Sequence, residues 1–471
     1  MIPSTSPSAV IEAAVRKMAA DGADDAAIAA FGANLARHLA GGNAFLPEAS
    51  LAEVGGIPRA DEDAEELAET GRAHAGELAI VKLNGGLGTG MGLAKAKSLL
   101  RVRGELTFLE LILRQVESLR GKTGGGFPLL LMDSFSTDED TLAALAAREK
   151  PFRNPAGIPA TFRQHRVPKL MADTNLPAGS PASPGDEWCP PGHGDLYCAL
   201  AATGILRKLL DNGFRYAFVS NADNLGATAD PALFGRMVAR HLPFLMEATR
   251  RTAADRKGGH LARDRKTGRL VLRESAQCPP EEAEAFQDIA RHAYFNTNNV
   301  WLDLGAVEEA LGDRGFLHLP LIANRKRLRP REPDSPEVFQ LENAFGAAIG
   351  LFGGAEAVEV PRSRFSPVKT TGDLLTVRSD ACELDGMNRL RLAECRRGVP
   401  PRVSLDPAHF AMLDDFEARF PAGAPSLIAC TSLTVQGDVT FAPGIRCEGE
   451  VSLSAPPGQK VRLPANALLP V

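Results

Sequence analysis

VKLNGGLGTGMGLAKAKSLL, residues 81–100, decides how the chain is read. An apolar strand candidate, LAIVKL at 78–83, runs straight into a loop carrying Gly85, Gly86, Gly88, Gly90 and Gly92. Glycines let backbone N–H groups approach a phosphate with no Cβ in the way. Lys95 and Lys97 follow and can meet phosphate charge. Two familiar phosphate loops are excluded. Positions 91, 93 and 95 are Met, Leu and Lys, so no register gives GxGxxG, and no Gly-Lys pair stands at the P-loop spacing. A plain Gly-rich turn is the bland alternative, but five glycines and two lysines at a strand end exceed what a turn requires. The segment from Leu83 to Thr89 is therefore the candidate stretch for a phosphate-bearing ligand such as a nucleotide: Leu83, Asn84, Gly85, Gly86, Gly88 and Thr89.

Downstream of this loop, short apolar strands alternate with helical stretches. A helix around Leu109–Leu119 precedes the strand PLLLM at 128–132; helices at Thr141–Arg148 and Leu196–Leu210 precede the strand RYAFVS at 215–220. This alternation predicts an α/β domain with a largely parallel sheet, whose ligands bind beyond the C-terminal strand ends. Upstream, residues 1 to about 75 read as helices. Pro7 suits a first turn, Gly22 closes that helix, Asp24 or Asp25 caps the next, and Gly41 and Gly42 end it. Val10, Ala14, Val15 and Met18 fall on one face, which predicts packing rather than chemistry. After about residue 400, alternating pairs such as Leu433/Val435, Val439/Phe441 and Val451/Leu453 are separated by Gly437, Gly444 and Gly449. They fit a short β-helix or β-roll without catalytic groups.

Composition narrows the function classes. At 471 residues the chain calls for two or three domains. A net charge of −5 supplies no positive field for nucleic acid. Anionic substrates must then be held by a few placed cations and amides. The longest nearly uncharged apolar stretch, 344–355, contains four glycines and is too short to span a bilayer. No basic stretch followed by an apolar run opens the sequence, so no secretory signal is expected. Seven scattered cysteines without a CxxC pair predict reduced thiols and a cytoplasmic setting rather than a disulfide framework or a zinc site.

Several polar clusters carry chemistry. In PPGHGD (190–195), Gly192 offers bare backbone and His193 a ring able to donate to phosphate or ribose. In SNADNLGA (220–227), Asp223 follows an apolar strand, where a metal-bound triphosphate would sit; an Asx turn is the alternative. One carboxylate suffices for Mg²⁺ when phosphates supply other oxygens. FNTNNVW (295–301) and QLENAFG (340–346) place Asn298, Asn299 and Glu342 as a hydroxyl-binding network for a sugar. Glu342 also reads as a carboxylate opening a helix.

Taken in order, the glycine loop with its Lys-Ser pair, FRQHRVPKL (162–170), PPGHGDLY (190–197), SNADNLGA, KGGHL (257–261), FNTNNVW, QLENAFGAAI (340–349) and FSPVKTTGDLL (365–375) resemble the UTP–glucose-1-phosphate uridylyltransferase family over roughly residues 78–376. Each motif is weak alone; their order is specific. The resemblance implies an α/β fold with a central nucleotidyltransferase (Rossmann-like) mixed sheet, a helical N-terminal segment at 1–75, a catalytic domain at 76–385 and a small C-terminal parallel β-helix at 386–471. It implies uridylyl transfer from UTP to glucose 1-phosphate, giving UDP-glucose and pyrophosphate with Mg²⁺ as cofactor. By the same resemblance, Gln164 and Gly192 would read the uracil edge, Asn221 would contact the sugar nucleotide, and Lys97 and Lys369 would be the catalytic lysines. The bacterial-type relatives place an Arg-Leu pair in the glycine loop. Met91 and its neighbours depart from that, favouring the eukaryotic-type glucose enzyme. A broad UDP-sugar or UDP-N-acetylglucosamine pyrophosphorylase, or an inactive sugar-nucleotide sensor, are the alternatives. No nucleic-acid or membrane partner is expected; homo-oligomerisation is compatible with the sequence.

Overall fold

The computed structural model describes residues 6–41, 45–180, 183–252, 255–329, 332 and 334–469. Two helices open it. Helix α1, Pro7–Ala20, is capped by Ser6 and buries Val10, Ala14 and Met18. Helix α2, Asp25–Leu39, begins where Asp24 Oδ1 accepts the Ala27 N–H at 2.8 Å. Asp24 thus satisfies a donor that the first turn leaves unpaired. Gly42, the expected end of this helix, lies outside the described residues. The N-terminal region is not helical throughout. A third helix, Ala64–Ala73, is preceded by the strand Leu51–Ala52, which pairs with the edge of the main sheet. Two residues are too few for periodicity to register.

Ten strands form the central sheet, and its middle is parallel. Leu78–Leu83 lies between Tyr216–Asn221 and Leu129–Asp133, all parallel, with Thr161–Arg163 extending the row beyond Leu129–Asp133. These four strands end on the same side, where Asn84, Ser134, Gln164 and Asp223 follow. On the other flank the pairing is antiparallel: Tyr294–Asp303 joins Tyr216–Asn221 to Phe244–Arg250. The sheet is therefore mixed. Helix Phe108–Thr123 crosses between the first two parallel strands, capped by Thr107 and closed at Gly124. The expected helix at 196–210 is two, Leu196–Ala202 and Ile205–Asp211, parted at Gly204.

The strand Leu78–Leu83 is buried on both faces, as its unbroken apolar run demands. Leu78 and Ile80 face a core shared with helix Phe108–Thr123 and with Phe410, Phe416 and Leu433 of the C-terminal region. Ala79 and Val81 face a second core with Leu196, Leu200 and Val300. The C-terminal strands Arg402–Leu405, Ser426–Gln436, Arg446–Ser454 and Leu468–Leu469 pair in parallel in that order, beside a second parallel pair, Asp438–Thr440 and Lys460–Arg462. Leu433, Val435, Val439 and Val451 point inward. This region also braces the glycine loop and the helix Thr371–Arg378: Thr371 donates to Phe410 O at 2.7 Å, and Met412 packs against Gly92. No helix among the described residues is long and apolar enough to cross a membrane.

Candidate active site

The glycine loop is anchored from below. Asn84, buried at the strand end, donates its amide to Asp133 Oδ1 at 2.6 Å and Thr141 Oγ1 at 2.9 Å. Its side chain therefore holds the loop, and what Asn84 offers a nucleotide is backbone. Ser134 Oγ donates to Gly85 O at 2.9 Å. Asp133 is fully buried; burial raises its carboxyl to about 7 against the lowering effect of Thr141 and Asn84. Beyond Gly86, the turn Thr89–Met91 is followed by a return in which Lys97 N–H donates to Gly86 O at 3.0 Å. Gly85 lies so close to the Gln164 carboxamide that a Cβ would collide with it. The base-reading candidate and the phosphate loop thus share one wall.

That return aims Lys97 across the strand ends. Lys97 Nζ lies 2.6 Å from Asp223 Oδ2, both side chains mostly buried. Asp223 Oδ1 is buried without any hydrogen-bond partner. A carboxylate with one oxygen paired and one orphaned beside the glycine loop fits a hard cation that prefers oxygen. The loop bearing Asp223 is bolted beneath by Lys82, whose Nζ donates to Ser220 Oγ and Ala227 O, both at 2.7 Å. Burial, then repulsion from Arg364, lowers Lys82 to about 7. Sequence reading took Lys82 as part of an apolar strand and missed this role; a lone lysine in a run buried on both sides was the available signal.

Lys369 arrives from the other direction. Val368 N–H donates to Asp223 O at 3.3 Å, and Asn224 Oδ1 accepts from Ser366 N–H at 3.0 Å. Lys369 itself is exposed, just ahead of helix Thr371–Arg378. Its charge reaches two further groups. Burial and the Lys369 charge together lower His193 to about 4, so its ring is neutral. Nδ1 of that ring accepts from Phe345 N–H at 3.0 Å, leaving Nε2–H as a donor. Glu274, missed by sequence reading, packs its carboxylate against Gly259; burial raises it and Lys369 pulls it back.

Gly192 has φ +81°, and a Cβ there would meet Asn343 O at 2.5 Å. Only glycine fits. Glu342 stands beside it, on the strand Glu337–Asn343 rather than at a helix start. The apolar run that suggested a helix is a 3₁₀ stretch, Phe345–Gly350. Asn221 closes its strand half-buried, and among the described residues its carboxamide makes no hydrogen bond. Asn298 occupies a bulge where the pairing with Glu247–Ala248 slips, at φ 57°. The bulge lifts Asn298 out of the ladder, and its Oδ1 accepts from Asn296 at 2.8 Å, leaving its N–H groups to donate. Asn299 does not join the hydroxyl network. It is fully buried, donating to Glu247 at 3.0 Å and to Arg364 O at 3.2 Å. Arg364 and Trp301 also bind Glu247, so Asn299 belongs to a polar floor under the site.

The imidazole of His165, next to Gln164, lies between two carboxylates: Nδ1 is 2.8 Å from Asp195 Oδ1 and Nε2 is 2.6 Å from Asp24 Oδ2. Cys198 Sγ lies nearby, so three metal-ligating types converge here. Each ring nitrogen has a carboxylate oxygen within hydrogen-bond distance, so both are placed as donors and neither offers a lone pair to a metal. Burial alone would lower His165; Asp195 and Asp24 outweigh it and raise it to about 9 from 6.5. A folded value above the unfolded one stabilises fully below about pH 6.5, and that contribution disappears as pH rises through about 9. The melting temperature of the wild type should exceed that of His165→Gln at pH 6, by a margin that shrinks steadily toward pH 9.5. A margin independent of pH would show that the ring is uncharged in the fold.

The UTP–glucose-1-phosphate uridylyltransferase family model matches residues 48–448. A UTP–glucose-1-phosphate uridylyltransferase from Astragalus penduliflorus is 40% identical over 394 residues, 83% of this chain and 81% of that one. The Saccharomyces cerevisiae enzyme of that name is also 40% identical, over 83% of this chain and 77% of its own. Among solved structures, a point mutant of Leishmania major UDP-glucose pyrophosphorylase in complex with UDP-glucose superposes with a TM-score of 0.91 at 40% identity, covering 99% of each chain. A Trypanosoma brucei structure described as UDP-glucose phosphorylase gives 0.87, also at 40%, over 98% of this chain and 99% of that one.

Proposed function

The chain belongs to the UTP–glucose-1-phosphate uridylyltransferase family, and from that membership we propose that it transfers the uridylyl group of UTP to glucose 1-phosphate, giving UDP-glucose and pyrophosphate. The single observation that carries the assignment of residues is the meeting of Lys97 and Asp223 beside the glycine loop, 2.6 Å apart at the ends of neighbouring parallel strands.

In this reading a phosphate oxygen of glucose 1-phosphate attacks the α-phosphorus of UTP in line, and pyrophosphate leaves. The nucleophile is already anionic, so no general base is required. The residues position the two substrates and offset developing charge. Gln164 and the Gly192 backbone read uracil, while the Gly85–Thr89 amides, Lys97 and Lys369 hold phosphate oxygens. His193 supplies a neutral N–H. Asn221, Asn298 and Glu342 take sugar hydroxyls. Asp223 would hold one Mg²⁺ through its free oxygen, a cation that neutralises phosphate charge when bound.

The finer architecture follows the same reading. The C-terminal parallel strands form the coils of a small β-helix. Three parts divide the chain: 1–75, a catalytic unit, and a C-terminal unit whose boundary falls after the hairpin Cys382–Leu384/Leu390–Leu392 rather than at 385, inside its turn. Seven free cysteines, five of them buried, suit a reducing cytoplasm. Homo-oligomerisation is compatible with this arrangement.

A substrate panel tests the reading. With UTP, pyrophosphate release should be at least about tenfold more efficient for glucose 1-phosphate than for galactose 1-phosphate or N-acetylglucosamine 1-phosphate. Comparable efficiencies would favour the broad UDP-sugar enzyme. No release with any of them would leave a sensor.

A further inference from the structure

Helix α2 packs through Ala27, Phe31 and Leu35, which account for its attachment to the core. Yet two of its polar side chains also reach neighbouring loops, the half-exposed Asp24 at its N-cap and the buried Asn34, and a polar group is costly to bury unless it is paired. Both are paired, and both pairs lead to the loops assigned to the nucleobase. Asp24 Oδ2 holds His165 Nε2 at 2.6 Å. His165 is the neighbour of Gln164; its backbone N–H donates to Asp195 Oδ2 at 2.7 Å and its Nδ1 to Asp195 Oδ1 at 2.8 Å. One imidazolium therefore ties the Gln164 loop, the PGHGD loop and the start of α2 together.

Asn34 is ten positions further along, about 15 Å up the same rigid helix. It is nearly buried and donates to Asn343 Oδ1 at 2.7 Å. The Asn343 amide is fixed by Pro320 O at 2.8 Å, and its backbone N–H donates to Pro191 O at 2.9 Å. The backbone of Asn343 is also the surface that Gly192 and Gly194 press against. The second strut thus ends under the other base-reading loop.

We infer that α2 is the frame that sets base selectivity: Asp24 and Asn34 are positioning residues that hold Gln164 and Gly192 at the spacing of a uracil edge, acting through His165 and Asn343. The inference rests on the reading of Gln164 and Gly192 as base-contacting residues. Uracil and cytosine differ in the donor and acceptor on that edge, so a small displacement of either loop erodes discrimination before it affects phosphate chemistry.

Two conservative variants separate this role from plain packing. Asp24→Asn keeps the shape and the helix cap, since Asn caps as well as Asp, but removes one charge from the imidazolium. Asn34→Asp keeps the acceptor for Arg37 and removes the donor to Asn343. Steady-state kinetics with UTP and CTP, a glucose 1-phosphate titration and melting temperatures are measured on both, with Gln164→Ala alongside. Each variant should raise the KM for UTP about tenfold and lower the UTP-over-CTP preference in kcat/KM by a similar factor, as losing one charged or buried hydrogen bond would. For Asp24→Asn the KM for glucose 1-phosphate should stay within about twofold, since His165 and Asp195 border none of the sugar residues; Asn34→Asp acts beside Glu342 on the strand Glu337–Asn343, so for that variant the UTP-over-CTP preference is the deciding reading. If Gln164→Ala loses the preference while both α2 variants keep it, the frame is overturned and the base-reading assignment stands. If Gln164→Ala keeps the preference, the base-reading assignment fails and the frame falls with it. A lowered melting temperature with unchanged preference would show that α2 serves packing alone.

Discussion

Lys97→Ala should lower kcat by about a thousandfold while changing the affinity for UTP no more than about threefold, the pattern of an interaction made chiefly in the transition state. Three features of the structure motivate the split. The backbone of Lys97 is pinned to Gly86 O, so the side chain starts from a fixed point. Its ammonium already lies at the strand ends against Asp223, where the α-phosphate would sit in the proposed reaction. Ground-state binding of UTP has other holders: the glycine-loop amides and the Gln164 wall do not depend on this charge. Truncation also leaves Asp223 without its cation, so the fold must be checked; Lys97→Gln, which keeps a donor, is the companion variant. Single-turnover pyrophosphate release and calorimetric titration of UTP measure the two quantities separately. A folded Lys97→Ala enzyme with wild-type kcat would remove Lys97 from the chemistry.

The parts of this site that were legible in the sequence are those where one short segment states its own constraint. The run LAIVKL is a strand buried on both faces and the glycines after it form the loop at its end, so strand and loop position agree to the residue. Asp223 was legible because its strand fixes where it emerges. The positions of the candidate sugar residues were half legible. Asn298 and Asn299 look equivalent in FNTNNVW, but the bulge at Thr297–Asn298 lifts one out and turns the other into the floor, and a bulge has no dependable sequence signature. Glu342 sits in VFQLENAFG, where strand alternation and helix periodicity overlap, and the antiparallel partner Leu321–Arg327 settles the contest. Asp24, His165 and Asp195 come together from segments up to 171 positions apart. Nothing local in a helix cap announces such a partner.

Asp223→Asn should cost activity about a hundredfold at millimolar Mg²⁺, with EDTA abolishing and Mg²⁺ restoring turnover of the wild type. The asymmetry of the carboxylate is the argument. Oδ2 is held by Lys97, whereas Oδ1 is buried without a partner, and a buried unpaired carboxylate oxygen is unfavourable unless something occupies it. A hard divalent cation held by Oδ1 would satisfy it with a single protein ligand and would supply charge neutralisation to a bound phosphate. The one convergent His/Cys/acid group among the described residues, at Asp24, His165 and Cys198, is committed to a proton and offers no competing site. Asparagine preserves shape and can still accept from Lys97, and the Lys82 bolt to Ser220 and Ala227 holds the loop independently, so the variant should fold. Its Mg²⁺ dependence should shift to concentrations at least about tenfold higher, reflecting one lost anionic ligand. Paramagnetic broadening by Mn²⁺ in the presence of UTP gives a reading free of turnover, and circular dichroism controls for folding. A folded Asp223→Asn enzyme with the wild-type Mg²⁺ profile and unchanged Mn²⁺ broadening would place the metal on the nucleotide alone and return Asp223 to the role of counter-charge for Lys97.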